Sequence, residues 1–186
     1  TQDSPKIFAY IPPNNAEKAE FRLLEEKSSK ELFVGQVQMP KAESGKDSYK
    51  YKASVVGISL PANAVEKLQP GNKYLWALMV VCKADNRAQD IVVTGIVQRV
   101  DDAYVQTLKP EIKQKLQTVN RVSPQEKLSI YGSAGLWYDM LAEAAALMRS
   151  NPSTESGEWT SLLKEQGLGA IATVPVVEGK VEPITP

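Results

Sequence analysis

Between Leu68 and Leu78 the chain reads Leu-Gln-Pro-Gly-Asn-Lys-Tyr-Leu-Trp-Ala-Leu. Pro70 presets φ and Gly71 accepts a positive φ, so this pair makes a turn. Tyr74 then opens an alternating apolar strand that continues through Trp76 and Leu78. A tyrosine so placed folds back and hydrogen-bonds the backbone a few residues upstream, pinning the chain where it passes from one sheet to another. The feature constrains architecture and says nothing of chemistry.

The flanking segments read as strands. Residues 5–11 put Ile7, Ala9 and Ile11 on one face and Phe8 and Tyr10 on the other, and Pro12-Pro13 stops them. Residues 19–26 and 32–39 flank the polar turn 27–30, which predicts a hairpin. Residues 41–52 are charged and loop-like, ending in an edge strand around Tyr49 and Tyr51. Residues 54–60 align Val56, Ile58 and Leu60, and 73–82 and 90–100 follow on either side of the polar loop 83–88. Gly35, Gly57 and Gly95 lie inside strands and predict bulges or close backbone packing. Strands at this spacing, with a tyrosine corner before the penultimate one, predict an immunoglobulin/fibronectin-III-like antiparallel β-sandwich over residues 1–100.

After Val100 the period becomes helical, predicting a helical subdomain over 101–169 packed on the sandwich. Residues 110–117 place Ile112 and Leu116 four apart. Ser123 with Glu126 three residues on makes a capping box, and Pro124 takes the first helical position. A helix over 136–150 carries the stripe Trp137, Met140, Leu141, Ala144, Leu147 and Met148, with Asn151-Pro152 as its stop. Another covers 155–166. Tyr131, Gly135, Met140, Ala144, Leu147 and Pro152 fall at the spacing of a tetratricopeptide-like helix–turn–helix, with Gly135 allowing close helix approach. One such unit cannot bury its faces alone, so it either packs on the sandwich or docks a partner. The extended tail 170–186 carries Ile171, Val174, Val176 and Val177 with no turn that would make its own hairpin. It docks on its own sandwich or adds as a strand to a neighbour, which repeated head to tail would build a filament.

No catalytic, cofactor-binding or metal-binding residue is identified. The chain has no histidine, which removes Ser-His-Asp and Cys-His nucleophilic sites and imidazole acid–base catalysis. The single cysteine, Cys82, cannot form an internal disulfide or a thiolate cage, and its place after an apolar run predicts burial. Lys+Arg and Asp+Glu balance at 22 each, so charge does not steer the chain to nucleic acid. The basic residues Lys109, Lys113, Lys115, Arg121 and Lys127 are interleaved with Glu111 and Glu126 and read as a solvated helical face. No apolar run is long enough to span a membrane. Asp85, Asn86 and Asp90 carry oxygen ligands suited to calcium, yet Arg87 among them predicts an Arg–Asp pair that holds the loop. Trp137-Tyr138 and Trp76 present aromatic faces that suit either a sugar or the core.

The pieces IFAYIPP, AEFRLLE, LQPGNKYLWALMVVC, DNRAQDIVVTGIVQRV, AGLWYDMLAEAAALMRSNP, WTSLLKEQGL and IATVPVV, taken together, resemble the cyanobacterial family known as domain of unknown function 928. The resemblance runs from about residue 7 to 177. Asn86 and Ala88 replace the acidic and hydroxyl members of the family's polar loop, which weakens that loop as a metal or catalytic site. Members carry signal peptides, so the resemblance implies export to the periplasm or beyond, and a chain starting at Thr1 fits a removed signal. It brings no activity and no site residues. The reading is a non-catalytic exported interaction, adhesion or assembly module whose partner is itself or another exported protein, with a homo-oligomer left open. Ile171, Val174, Val176, Val177, Trp137 and Tyr138 are the candidate interaction residues. Two alternatives stay open: a glycan or small-ligand module of the cell envelope, and a hydrolase with a carboxylate pair assembled in space.

Overall fold

The structure, a computed structural model, describes residues 5–43, 48–150 and 156–184. Alternation of apolar side chains builds the early strands. β1 (Lys6–Ile11) buries Ile7, Ala9 and Ile11, while β2 (Lys18–Glu25) buries Phe21 and Leu23. β2 and β3 (Glu31–Val37) form the expected antiparallel hairpin, with Ala19 opposite Val37 and a register shift between Leu23 and Leu24. β4 (Ser54–Ser59) turns Val56 and Ile58 into the same core. The edge strand expected around Tyr49 and Tyr51 is reduced to isolated bridges from Tyr51 to Asn14 and Lys41.

From β4 the chain passes through a short helix, α1 (Ala62–Val65), and the Pro70–Gly71 turn into β5 (Lys73–Val81). Gly71 has φ of 81°, a conformation that favours glycine, and its N–H donates to the Arg99 carbonyl at 2.6 Å. The Tyr74 side chain is buried, and its hydroxyl oxygen accepts a hydrogen bond from the Gln69 N–H at 2.6 Å. The tyrosine therefore bonds the backbone upstream at the point where the chain changes sheet. β6 (Ile91–Gln98) follows as an antiparallel neighbour of β5.

The protein is a mixed α/β structure with two sheets and, among the described residues, six helices. One sheet has the order β1-β4-β7 and the other β6-β5-β2-β3-β8. Ile7, Ile11, Val56 and Ile58 of the first share one buried cluster with Phe21, Leu23, Trp76 and Leu78 of the second. The last two strands come from the tail. β7 (Val176–Gly179) lies parallel to β4, and β8 (Val181–Pro183) lies antiparallel to β3. The purely antiparallel pairing expected from sequence is thus corrected at β7. That strand is reached through the helical layer, the long connection that parallel neighbours require.

The helices are α2 (Asp102–Thr107), α3 (Pro110–Thr118), α4 (Pro124–Ser133), α5 (Trp137–Ser150) and α6 (Ser156–Glu165). Asp101 caps α2, its Oδ1 accepting from the Tyr104 N–H at 2.8 Å. Ser123 Oγ accepts from the Glu126 N–H at 3.2 Å, with Pro124 at the first turn of α4. An added Cβ at Gly135 would stand 2.9 Å from the Tyr104 hydroxyl of α2, and a second close approach falls at Gly132, 3.1 Å from Met140 Sδ. Gly135, at φ 68°, also turns the chain between α4 and α5. The helix stop read at Asn151-Pro152 lies outside the described residues. Leu141, Ala144 and Ala145 of α5 and Trp159 and Leu163 of α6 pack against Phe8 and Val55, on the outer face of the three-stranded sheet. The Phe8 and Trp159 rings meet edge to face, centroids 5.9 Å apart.

Replacing Tyr74 by Phe removes the acceptor of the Gln69 N–H while keeping the ring. We expect a loss of about 1 kcal/mol in chemical denaturation with the fold retained; an unchanged midpoint would show that the hydroxyl does not hold the crossing.

Candidate interaction site

The five-stranded sheet overhangs its three-stranded partner at β6, and the consequence is visible along that strand. Val97 is buried, but Ile91, Val92, Val93 and Ile96 are 56%, 53%, 43% and 48% exposed. Val93 and Ile91 pair with Leu78 and Val80 and face the inner side of the sheet. Val92, Thr94 and Ile96 pair with Met79, Ala77 and Leu75 and face the outer side, where Leu75 is also exposed. Apolar surface therefore wraps both faces of one edge strand.

The backbone of β6 follows the same alternation. The Arg99 N–H and carbonyl are bonded to Asn72 and Gly71, on the β5 side, so odd-numbered residues of β6 point their backbone groups at β5. Even-numbered residues point away. The Ile96 carbonyl shows this directly, accepting from the Tyr138 hydroxyl at 2.7 Å. That hydroxyl also accepts from Trp76 Nε1 at 3.1 Å, and burial pushes Tyr138 above its ordinary pKa although the indole hydrogen bond works the other way. Gly95 lets the Trp76 indole lie across β6, since an added Cβ would overlap the ring. Tyr138 thus fastens α5 to one end of the edge, and no other strand among the described residues pairs with the other end.

The remaining sheet edges are guarded. β1 carries Lys6 behind Pro5, β7 carries Glu178, and β8 carries Glu182 and Pro183. Glu178 binds both Lys6, at 2.8 Å, and Arg149 of α5, at 2.7 Å. Charge and proline are how edge strands ordinarily resist pairing, and β6 has neither from Ile91 to Gln98.

Polar chemistry gathers on the outer face beside β6. Glu20 is buried on β2 opposite Met79, and Lys18 reaches it at 2.8 Å, Arg87 at 3.3 Å and Arg22 at 3.8 Å. Burial would raise the Glu20 pKa, but hydrogen bonds and charge from Lys18 and Arg87 outweigh it and hold the carboxyl below its ordinary value. Arg87 also binds Asp90 at 2.5 Å, so the polar loop is held by the Arg–Asp pair the sequence suggested. Among the described residues no group of three or more acidic or cysteine side chains is arranged to hold a metal ion.

A cleft of about 320 Å³ lies between β6, the tyrosine corner and the start of α5, lined in part by Tyr74, Arg99, Tyr104, Trp137 and Tyr138. Its polar groups are engaged by the fold: Arg99 donates to the Leu68 carbonyl at 2.7 Å and Tyr104 to the Ala134 carbonyl at 2.8 Å. The sequence-predicted interaction residues divide between two places. Trp137 is half-buried in the helical cluster and Tyr138 is the fastener of β6. Ile171 and Val174 pack with the helices, Val176 pairs with Val55 and Val177 with Val56, so the tail is seated on its own sheets. Cys82 is half-buried rather than enclosed, because β5 ends at Val81.

The chain belongs to the DUF928 family. The family model, described as Domain of Unknown Function, matches residues 1–176, which takes in β6 and every helix. No curated protein and no solved structure matches the chain. The DUF928 match ends at the first residue of β7.

Glu20→Gln tests the electrostatics of this face. With a folded pKa below the unfolded value, Glu20 contributes stability above the ordinary carboxylate range that is lost as pH falls through the lower folded pKa. The variant should be less stable at pH 7, and its deficit should shrink on acidification; a pH-independent deficit would refute the ion-pair account.

Proposed function

We propose that this DUF928 protein is a non-catalytic, exported protein-interaction module, and that β6 is the element through which it assembles. The observation that carries this reading is the edge itself: uncharged, free of proline, apolar on both faces and open at one end. Such an edge takes an extended strand by main-chain hydrogen bonding, with side chains of the added strand covering the exposed apolar surface. Contiguous exposed apolar surface of this kind marks interaction sites in folded proteins. Export is the expectation carried by the family resemblance.

We further read the two sheets as an immunoglobulin/fibronectin-III-like sandwich and α4–α5 as a tetratricopeptide-like helix–turn–helix. The Tyr74 corner supports the first, and the glycine contact between Gly132 and Met140 supports the second. Because α5 turns its apolar stripe onto the three-stranded sheet, the helical unit serves as a packed layer and β6 takes the role of the docking element. The aromatic cleft beside Trp137 favours a second reading, a small-ligand or glycan site.

Thr94→Pro separates these. The Thr94 N–H points away from β5, so proline there blocks an incoming strand without removing a bond of the β5–β6 ladder. Chemical crosslinking of intact cells producing the full-length protein should show specific complexes with the native residue and none with the variant, at equal melting temperature. Complexes that persist with Thr94→Pro would overturn strand addition at β6. Recovery of the protein from the cytosolic fraction alone would overturn export.

A further inference from the structure

We infer that the strand received by β6 is β6 of a second copy, paired antiparallel about a two-fold axis at Val93. This rests on the proposed reading of β6 as a docking edge and names its occupant. The free stretch has two definite ends. At one, the Tyr138 hydroxyl occupies the outward carbonyl of Ile96. At the other, Asp90 is tied to Arg87 in the polar loop. Between them lie residues 91–95, Ile-Val-Val-Thr-Gly, and their centre is Val93.

A two-fold at that centre pairs every free residue with another free residue. Val93 meets Val93 of the second copy, Val92 meets Thr94, and Ile91 meets Gly95. The outward-pointing backbone groups are those of Val92 and Thr94, so the two Val92–Thr94 pairs are the hydrogen-bonded ones and the Val93 pair is the non-hydrogen-bonded one between them, as an antiparallel ladder demands. The same register satisfies the side chains. On the outer face Val92 stands beside Thr94, a favourable cross-strand pair. On the inner face the exposed Ile91 is brought opposite Gly95, where the Trp76 indole fills the space a side chain would take. Nothing charged lies within the stretch, so pairing a strand with its own copy sets no like charges together. An isologous contact of this kind closes on itself, giving a dimer rather than a fibre, and joins the two five-stranded sheets into one.

Two measurements on the full chain test it. Sedimentation equilibrium should give a mass that rises from one copy toward two as concentration increases, and Thr94→Pro should hold it at one. In a Cys82→Ser background, Val93→Cys should form a disulfide-linked dimer under mild oxidation, because Cα atoms of a central non-hydrogen-bonded pair stand about 4.5 Å apart. Val92→Cys in the same background should not, since that register sets the two Val92 positions beyond the roughly 7 Å a disulfide can bridge. Dimerisation with faster crosslinking through Val92→Cys than through Val93→Cys would overturn the register. A monomeric mass at all concentrations with no Val93→Cys dimer would overturn self-pairing. In that event, loss of the cellular complexes in Thr94→Pro would leave strand addition standing with a different partner, and their persistence would remove both.

Discussion

The hydrogen bond from the Gln69 N–H to the Tyr74 hydroxyl sits at the one place where the chain leaves β4 and enters β5, and so passes from one sheet to the other. Everything C-terminal of it depends on that passage. Tyr74 brings an aromatic ring into the shared core while its hydroxyl meets a backbone group that burial would otherwise leave without water. Gly71 makes the turn possible and ties it to Arg99, so the start of β5 and the end of β6 are held together by the same corner. Trp76 and Leu78, two and four residues on, then fall on the inner face because side chains alternate across a strand.

Unequal sheets leave apolar surface exposed along β6. Three strands cannot cover five; α5 and α6 are committed to the outer face of the three-stranded sheet through Phe8, Val55 and Trp159, while α2, α3 and α4 build a cluster of their own around Tyr131. Tyr138 crosses to β6 with one hydroxyl that serves both Trp76 and the Ile96 carbonyl. The result is an edge protected along part of its length and bare along the rest. At the far edges the tail closes both sheets, β7 on β4 and β8 on β3, and Glu178 clamps it through Lys6 and Arg149. One side of the molecule is sealed by charge and proline while the other is not.

The corner, the β2–β3 hairpin, the inward faces of β1 and β4, and the Ser123 cap could all be read from the residues, because each depends on local alternation or on neighbours no farther than the 18 positions between Ala19 and Val37. The parallel placement of β7 could not, since Val176 and Val177 meet Val55 and Val56 across more than a hundred residues of chain and no local pattern encodes direction. Gly135 illustrates a subtler limit: its spacing predicted a close approach but not its positive φ, and it did not show that the approach at Gly135 is to Tyr104 of α2 while α4 meets α5 at Gly132.

β6 is where local and global information part most clearly. An uninterrupted run such as Ile-Val-Val-Thr-Gly-Ile-Val is the composition of a strand covered on both faces, and sequence alone determines that it is a strand with no polar side. Tertiary structure decided that it would be last in its sheet, beyond the reach of the opposing strands, with its even-numbered backbone groups turned outward. Strand propensity and alternation are properties of the chain itself, whereas an edge exists only once every other strand has taken its place, so the exposure of Ile91, Val92 and Val93 is a fact of assembly that no segment carries by itself.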